Sequence, residues 1–564
     1  MGVKDRILVT DPQAPATDEF GSPAPERPEP REPSEPPKPP GLAQRARGLS
    51  GLTMLSRVLG VVREQVFARL FGAGMYADAL VVAFRVPNLL RDLFAEGAFS
   101  ATLIPALGRA RAEGGDEEAA RVARAVLSAI LLGVGALTVL GIVFAPTLVD
   151  GIAKGFSEGA EGATKREETI RLTRVLFPFL LLISLASVLR GVLNTYGRFS
   201  TPALGPPLAN ALAIAIGGGL LIGGASTASA ATGWACALLA GGVGTLLVQV
   251  PALRRTGLRI LPDLRMRHPE LGRILRQMGF AAVGLAAVQV NIFVGTTLAS
   301  QLAEGSVAAL NYGFRLVYLP IGVIGVAIAT VSTVDISRGL AGGDRAKASE
   351  DLAGGIRLTA FLSLPSAVGL WVLSEPVVRL IYEYAAFTAS DTTRAAIALR
   401  GYGIGLLFYA ITKIQIPACY ALGRERLPIW GALLSMAGFT TFALLTYRTL
   451  GVLGLAIGTS IAASLNAAVL AIGLRQSLPA RGRVLHGIAA TLLLAAIMGV
   501  AIAQLVPLLE GAWGTESVLA RLATVGLAIA LGGGIVLGGG RLLRLPEATE
   551  TLRALRIGRT PSSE

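Results

Sequence analysis

The sequence predicts an all-α polytopic membrane protein of about fourteen transmembrane helices, arranged as two six-helix lobes plus two additional C-terminal helices. Three observations predict it. Hydrophobic residues make up 52% of the 564-residue chain and charged residues only 16%, where a soluble domain carries about a quarter; the mean hydropathy is +0.61. The apolar residues are gathered in runs close to the ~20 residues that cross a bilayer. Two short motifs also recur at nearly one offset. Ala83-Phe84-Arg85-Val86-Pro87 is echoed by Gly313-Phe314-Arg315-Leu316, 230 residues later, and Tyr196-Gly197-Arg198 with Pro202 by Gly423-Arg424 with Pro428, 226 residues later. Six spans is an even number, so two such halves insert with the same orientation, the repeat plan of many transporters.

The elements follow in order. Residues 1–41 hold 11 prolines among acidic and basic residues; such a segment cannot bury enough surface to fold and reads as a disordered, partly polyproline cytoplasmic tail. It has no apolar core of a signal peptide. The first lobe, 42–252, carries spans at 42–63, 73–93, 124–149, 172–193, 203–224 and 230–252. The second, 253–474, carries spans at 275–300, 307–333, 355–373, 396–419, 427–447 and 452–474. Two further spans, 485–508 and 519–541, lie in the segment 475–541, and a cytoplasmic tail occupies 542–564. With both termini inside, the inner connections hold about 26 Lys and Arg against about 10 outside, as the positive-inside rule requires. That distribution accounts for the net charge of +14 without nucleic acid as a partner; membrane lipids are the expected surroundings.

The chemistry is concentrated between Leu52 and Leu107. Arg57, Arg63, Asp78, Arg85, Arg91 and Glu96 lie in or against segments that otherwise look like membrane helices. An ionised side chain in hydrocarbon costs about 2.5–3.5 kcal/mol even on the lenient insertion scale. Such arginines therefore face water, a counter-ion or an anionic ligand. Six residues along a helix give about 9 Å of rise and leave one common stripe, so Arg57 and Arg63, or Arg85 and Arg91, converge only through the packing of several helices. Pro87 kinks the second span, and Asn88 is placed to satisfy freed backbone groups. Arg315 brings a cation from the second lobe. Guanidinium groups offer a flat fork of donors that fits phosphate oxygens, so the expectation is a cavity for an anionic or pyrophosphate head group, with Asp78 and Glu96 as gate or ion-pair residues. Arg69 reads as a snorkelling residue.

Other function classes lack their residues. Cys236 and Cys419 both fall in apolar runs, and His268 and His486 lie far apart in basic loops. No metal site, cofactor motif or nucleophile–base constellation is expected, which argues against a membrane glycosyltransferase or phosphatase. A cation-drug exporter would want acidic residues in its cavity. A pure scaffold leaves arginines inside helices without a reason.

The stretches SRVLGVVREQVFARLFGAG and DALVVAFRVPNLLRDLFAEGAFSATLIPAL closely resemble the MurJ (MviN) lipid II flippases of the MOP exporter superfamily. Gly191-Val192-Leu193-Asn194-Thr195-Tyr196-Gly197-Arg198-Phe199 and Tyr312-Gly313-Phe314-Arg315-Leu316 extend the likeness, which runs from about residue 45 onward. The resemblance implies fourteen helices, the last two building a groove for a lipid tail. It implies movement of lipid II, the undecaprenyl-pyrophosphate-linked disaccharide peptide, from the inner to the outer leaflet of the bacterial cytoplasmic membrane by alternating access. It matches Arg57, Arg63, Arg91 and Arg315 to essential cavity arginines and Asp78 to an important aspartate. Arg85 stands where the family often has lysine. Asp92 stands where many members have a second basic residue, which lowers the local positive charge. Cell-wall synthesis proteins are the partners such an activity implies. A MOP exporter for another polyprenyl-pyrophosphate-linked oligosaccharide is the alternative.

Overall fold

A computed structural model describes residues 42–94, 98–157, 160–258, 260–263, 268–478 and 483–557. The N-terminal tail to residue 41 and Glu96 lie outside the described residues. Inside a bilayer a chain can satisfy its backbone polar groups only in helices or a closed barrel, and this chain takes the first route: the described residues contain no strand.

The first half opens with α1 (Leu42–Phe71) and α2 (Met75–Phe94). Next come α3 (Ala98–Val143), α4 (Ala145–Ile152), α5 (Ala160–Leu176), α6 (Pro178–Thr195), α7 (Ser200–Ala203), α8 (Gly205–Ile222), α9 (Thr227–Leu247) and α10 (Val250–Arg254). In the second half, α11 (Pro269–Ser300) and α12 (Ser306–Pro320) run into a π-helical turn, Ile321–Gly325, and α13 (Val326–Ala341). They are followed by α14 (Arg345–Val372), α15 (Ser374–Tyr382), α16 (Ala389–Gly403), α17 (Leu406–Ala421) and α18 (Arg426–Arg475). The chain ends in α19 (Arg483–Trp513), α20 (Val518–Leu542) and α21 (Pro546–Ile557). Gly48–Glu564 form one compact unit.

Every predicted span falls on a helix, and the chain is an all-α polytopic membrane protein. Eight helices are long and apolar enough to cross a membrane by composition alone, nine if α16 and α17, bent by 45°, count as one. The arginine-bearing α1 and α2 are not among them. The helix breaks have local causes. The long α18 is interrupted at Gly451 (φ 55°), between the spans expected at 427–447 and 452–474. Proline begins α6 and lies in the first turn of α4, α8 and α10, where its missing N–H costs nothing. A reciprocal box of Thr388 and Asp391 starts α16.

Two segments read as connections are helical. Ala98–Glu113, ahead of the α3 break at Gly114 and Gly115, buries Phe99, Leu103, Ala106 and Leu107. Fourfold apolar spacing was present there, but Arg109, Arg111 and Glu113 dilute its hydropathy. Likewise α5 starts at Ala160, whereas the expected span starts at 172. Its charges are paired: Arg166 donates twice to Asp150, at 2.5 and 2.7 Å, and Arg171 bonds Glu168 at 2.6 Å and Thr232 at 2.7 Å.

The sequence repeat has a geometric counterpart. Gly197 (φ 69°) and Gly423 (φ 68°) end α6 and α17 in the left-handed conformation. The following arginine N–H closes the same six-residue ring in each, Arg198 to the Leu193 carbonyl and Arg424 to the Cys419 carbonyl, both at 2.9 Å. Each guanidinium then caps the carbonyl end of a later helix, Arg198 on Ala252 and Arg255 at 3.0 Å and Arg424 on Gly473 at 2.6 Å.

At the other end of the bundle the halves meet directly. Tyr312 donates to the Gly72 carbonyl at 2.7 Å, the Ala386 N–H to the Arg69 carbonyl at 3.3 Å, and the Met75 N–H to Glu304 at 2.9 Å. Phe67, Phe71, Trp234, Tyr312, Tyr382 and Phe387 pack there ring against ring. Arg69 lies over the Tyr384 ring, 4.7 Å from its centroid, so it bridges the halves rather than snorkelling. Gly305 (φ +83°) sits so close to the Ala73 carbonyl that a Cβ would overlap its oxygen. Gly305→Ala is therefore expected to lose about 2 kcal/mol or more, from strain plus overlap, read as a lowered midpoint of thermal unfolding in detergent. An unchanged midpoint would show that the two backbones need not approach so closely.

The C-terminal helices lean on the second half. Phe361 of α14 packs with Leu494, Met498 and Ile502 of α19 and Ala528 of α20, and the pairs Arg357–Glu547 and Arg379–Glu510, each 2.8 Å, pin the assembly at two levels.

Candidate functional site

Below that closed end lie two adjoining cavities. The smaller, about 140 Å³, sits between the halves and is lined by Arg63, Glu64, Arg85, Asn88, Asn311 and Arg315 among apolar side chains. The larger, about 290 Å³, lies within the second half and shares Arg85 and Asn311 with the first. α1 supplies Arg63 and Glu64, α2 supplies Arg85 and Asn88, and α12 supplies Asn311 and Arg315. Three helices distant in sequence thus bring together the cations that one helix could not.

The charge arrangement is specific. Glu64, 6% exposed, takes Arg63 at 2.6 Å and Arg315 at 2.9 Å on the same oxygen. Arg63 also donates to Asn210 at 3.0 Å, and Asn210 in turn to the Ser56 carbonyl at 3.0 Å. Arg85 has no carboxylate or hydrogen-bond partner among the described residues, and its Nε is buried. Three guanidiniums against one carboxylate leave the cavity wall net cationic, with Arg85 the charge least compensated. A Glu64 bridge shared by both halves is broken whenever an anion replaces it.

The remaining expected residues sit elsewhere. Arg57 lines neither of these cavities; its Nη1 donates at 3.0 Å to the carbonyl of Gly322, in the π-helical turn, again joining the halves. Arg91 bonds Asp92 at 3.0 Å, and Gln289 reaches the other Asp92 oxygen at 3.5 Å. Asp92 thus spends its charge on its own neighbour, as its position beside Arg91 suggests. Asp78 is away from the cavities, at the closed end and 1% exposed. It binds Lys165 at 2.6 Å and accepts from the N–H groups of Gly305 at 2.8 Å and Ala308 at 2.7 Å. Its partners are a lysine and the first turn of α12, not an arginine. No group of residues suited to a metal ion occurs among the described residues.

Glu64, Lys165, Asn210 and Asn311 belong to the site or its closure and were not singled out from the sequence. Glu64 had one available signal, an acid beside Arg63 in an apolar run. Lys165 was hidden in a charged stretch, and the two asparagines are uncharged residues in ordinary spans.

The architecture is that of a polytopic helical transporter. It aligns with an inward-facing multidrug resistance MATE family transporter of the MOP superfamily at a TM-score of 0.62 and 19% identity, over 78% of this chain and 98% of that one. A structure titled lipid II flippase MurJ, inward closed conformation, aligns at a TM-score of 0.72 and 24% identity, over 88% of this chain and 99% of that one. The family model described as lipid II flippase MurJ matches residues 67–524, and the chain belongs to that family. Among its relatives, the lipid II flippase MurJ of Burkholderia cenocepacia is 34% identical over 76% of this chain and 83% of its own length. The probable lipid II flippase MurJ of Rickettsia prowazekii is 30% identical over 88% and 97%.

Proposed function

We propose that this protein carries lipid II from the inner to the outer leaflet of the bacterial cytoplasmic membrane by alternating access, with the pyrophosphate bound by the arginines of the cavity between its halves. The observation that carries the reading is the Arg63–Glu64–Arg315 bridge with unpartnered Arg85 beside it. A di-anion entering the cavity can take over both arginines from Glu64, and the cationic excess favours that exchange. The polyprenyl tail stays in lipid, against the groove of α19 and α20.

The rest of the reading follows from the same frame. The lobes are residues 42–252 and 253–474, the tail groove 475–541, and both termini are cytoplasmic. The basic end, which carries Arg198, Arg255 and Arg424, is then the inner one. The end closed by Asp78 and Gly305 faces outward, and the cavity is loaded from inside. Arg57 and Arg91 act on the cargo when it displaces Gly322 and Asp92 from them. In this scheme Asp78 and Asn88 serve the gate and its backbone, not the phosphate.

Depleting the protein in its host, with no redundant flippase present, is expected to leave lipid II on the inner leaflet. Wild type should rescue this and an inserted Arg57→Ala, Arg315→Ala double variant should not. Continued export under depletion would move the assignment to another polyprenyl-pyrophosphate-linked oligosaccharide.

A further inference from the structure

The larger cavity has a chemistry of its own. Apart from Arg85 at its mouth it is lined by no charged group; amides and hydroxyls alternate with aromatic rings along α11, α12, α16, α17 and α18. The side-chain amides of Asn291 and Asn466 form no hydrogen bond among the described residues, and their Oδ1 atoms are buried. The hydroxyl of Tyr402, also on the wall, has no partner among them either. Buried polar atoms without partners are rare in folded proteins and call for an explanation. An asparagine amide offers two donors and an acceptor, and a tyrosine hydroxyl offers one of each. Phe314 and Phe439 supply flat apolar faces beside them. Neutral donors and acceptors in both directions, next to ring faces, are what a sugar presents a match for: hydroxyls and an acetamido group around a ring with apolar C–H faces. The absence of any lining carboxylate makes the cavity a poor host for an amine or metal cation, and a volume of about 290 Å³ is at the small end for ligand pockets, room for one ring rather than a whole disaccharide peptide.

Position supplies the second argument. Arg85 and Asn311 belong to both cavities, so a ligand with phosphate in the smaller one continues into the larger across that boundary. The group attached next to the pyrophosphate would lie there.

We infer that the cavity bounded by Tyr402, Asn291 and Asn466 is a subsite for the first sugar of a pyrophosphate-linked glycolipid, reading the cargo's neutral portion while Arg63, Arg85 and Arg315 hold its charge. This rests on the flippase reading above and adds selectivity to it. A carrier with only arginines would move the bare polyprenyl pyrophosphate as well as the sugar-bearing lipid; the subsite separates the two.

The test uses the full-length protein in nanodiscs and two probes: undecaprenyl pyrophosphate, and the same lipid carrying one N-acetylated hexosamine. Wild type is expected to bind the sugar-bearing lipid about tenfold more tightly or better. Tyr402→Phe and Asn466→Leu should each reduce that preference about threefold to tenfold, as loss of a hydrogen bond does, with affinity for the bare lipid unchanged. Arg63→Ala should weaken both lipids alike. Tyr402→Phe conserves volume and decides the matter should Asn466→Leu fold poorly. Equal wild-type affinity for the two lipids, an undiminished preference in Tyr402→Phe, or equal weakening of both lipids by it would overturn the subsite and leave the flippase reading standing. Wild type that binds neither lipid would remove both. A uridine-diphosphate-linked hexosamine that competes as well as the lipid would reassign the cavity to a soluble sugar nucleotide.

Discussion

Asp78→Ala is expected to open the closed end of the bundle. The substitution strands Lys165, which is buried beside the Phe156 ring, and removes the acceptor of the Gly305 and Ala308 N–H groups. Breaking one partner of a buried pair costs about 3–5 kcal/mol. That cost falls on the arrangement in which α2 touches α12, so a two-state equilibrium between closed and open ends moves by about a hundredfold or more. Ala309 is fully buried just beneath the contact and makes the reporter. In a background without Cys236 and Cys419, an Ala309→Cys protein should react slowly with a membrane-impermeant maleimide, and Asp78→Ala should speed the reaction by that factor. Lys165→Met should have a smaller effect, because Asp78 keeps both backbone donors. Identical labelling in Asp78→Ala and its parent would remove Asp78 from the closure.

The second large effect belongs to Arg315. Alanine there deletes one cavity cation, and Glu64 is left to neutralise Arg63 alone. The cavity falls from three guanidiniums against one carboxylate to two against one. Truncating one partner of a hydrogen-bonded charge pair costs about 2–5 kcal/mol, so affinity for a pyrophosphate lipid should drop by about thirtyfold at least. Lysine should not restore it, because its point charge cannot serve Glu64 and a phosphate with a planar fork. Adding Glu64→Gln to Arg315→Ala should recover part of the loss by removing the competing anion. Binding by Arg315→Lys equal to wild type would show that charge alone matters there, and the bidentate geometry would have to be given up.

Much of this was legible in the chain before any coordinates. Arginine in an apolar run is costly wherever it lies, so Arg63, Arg85 and Arg315 announced a cavity without any knowledge of packing. Glycine–arginine after a span marked Gly197 and Gly423, because a left-handed helix end favours glycine. What could not be read is what each charge touches. Asp78 and Lys165 are separated by 87 residues, and Arg57 from Gly322 by 265; such pairings are decided by how helices pack, which a hydropathy pattern does not encode. The same pattern penalised Ala98–Glu113 and the start of α5 for their charges, although those charges are satisfied by partners on other segments. The family likeness supplied the cargo class; the residues themselves supplied an anion.

The meeting of Gly305 with Ala73 has a consequence for the cell's energy supply. A carrier for a bulky head group must hold open a large wet space, and every such space is a potential shunt for protons across a membrane that stores its energy as an ion gradient. Side chains that merely touch leave crevices through which water can file. Here main chain lies against main chain, backed by six aromatic rings, and no room remains for a continuous column of water. The gradient is held at that contact.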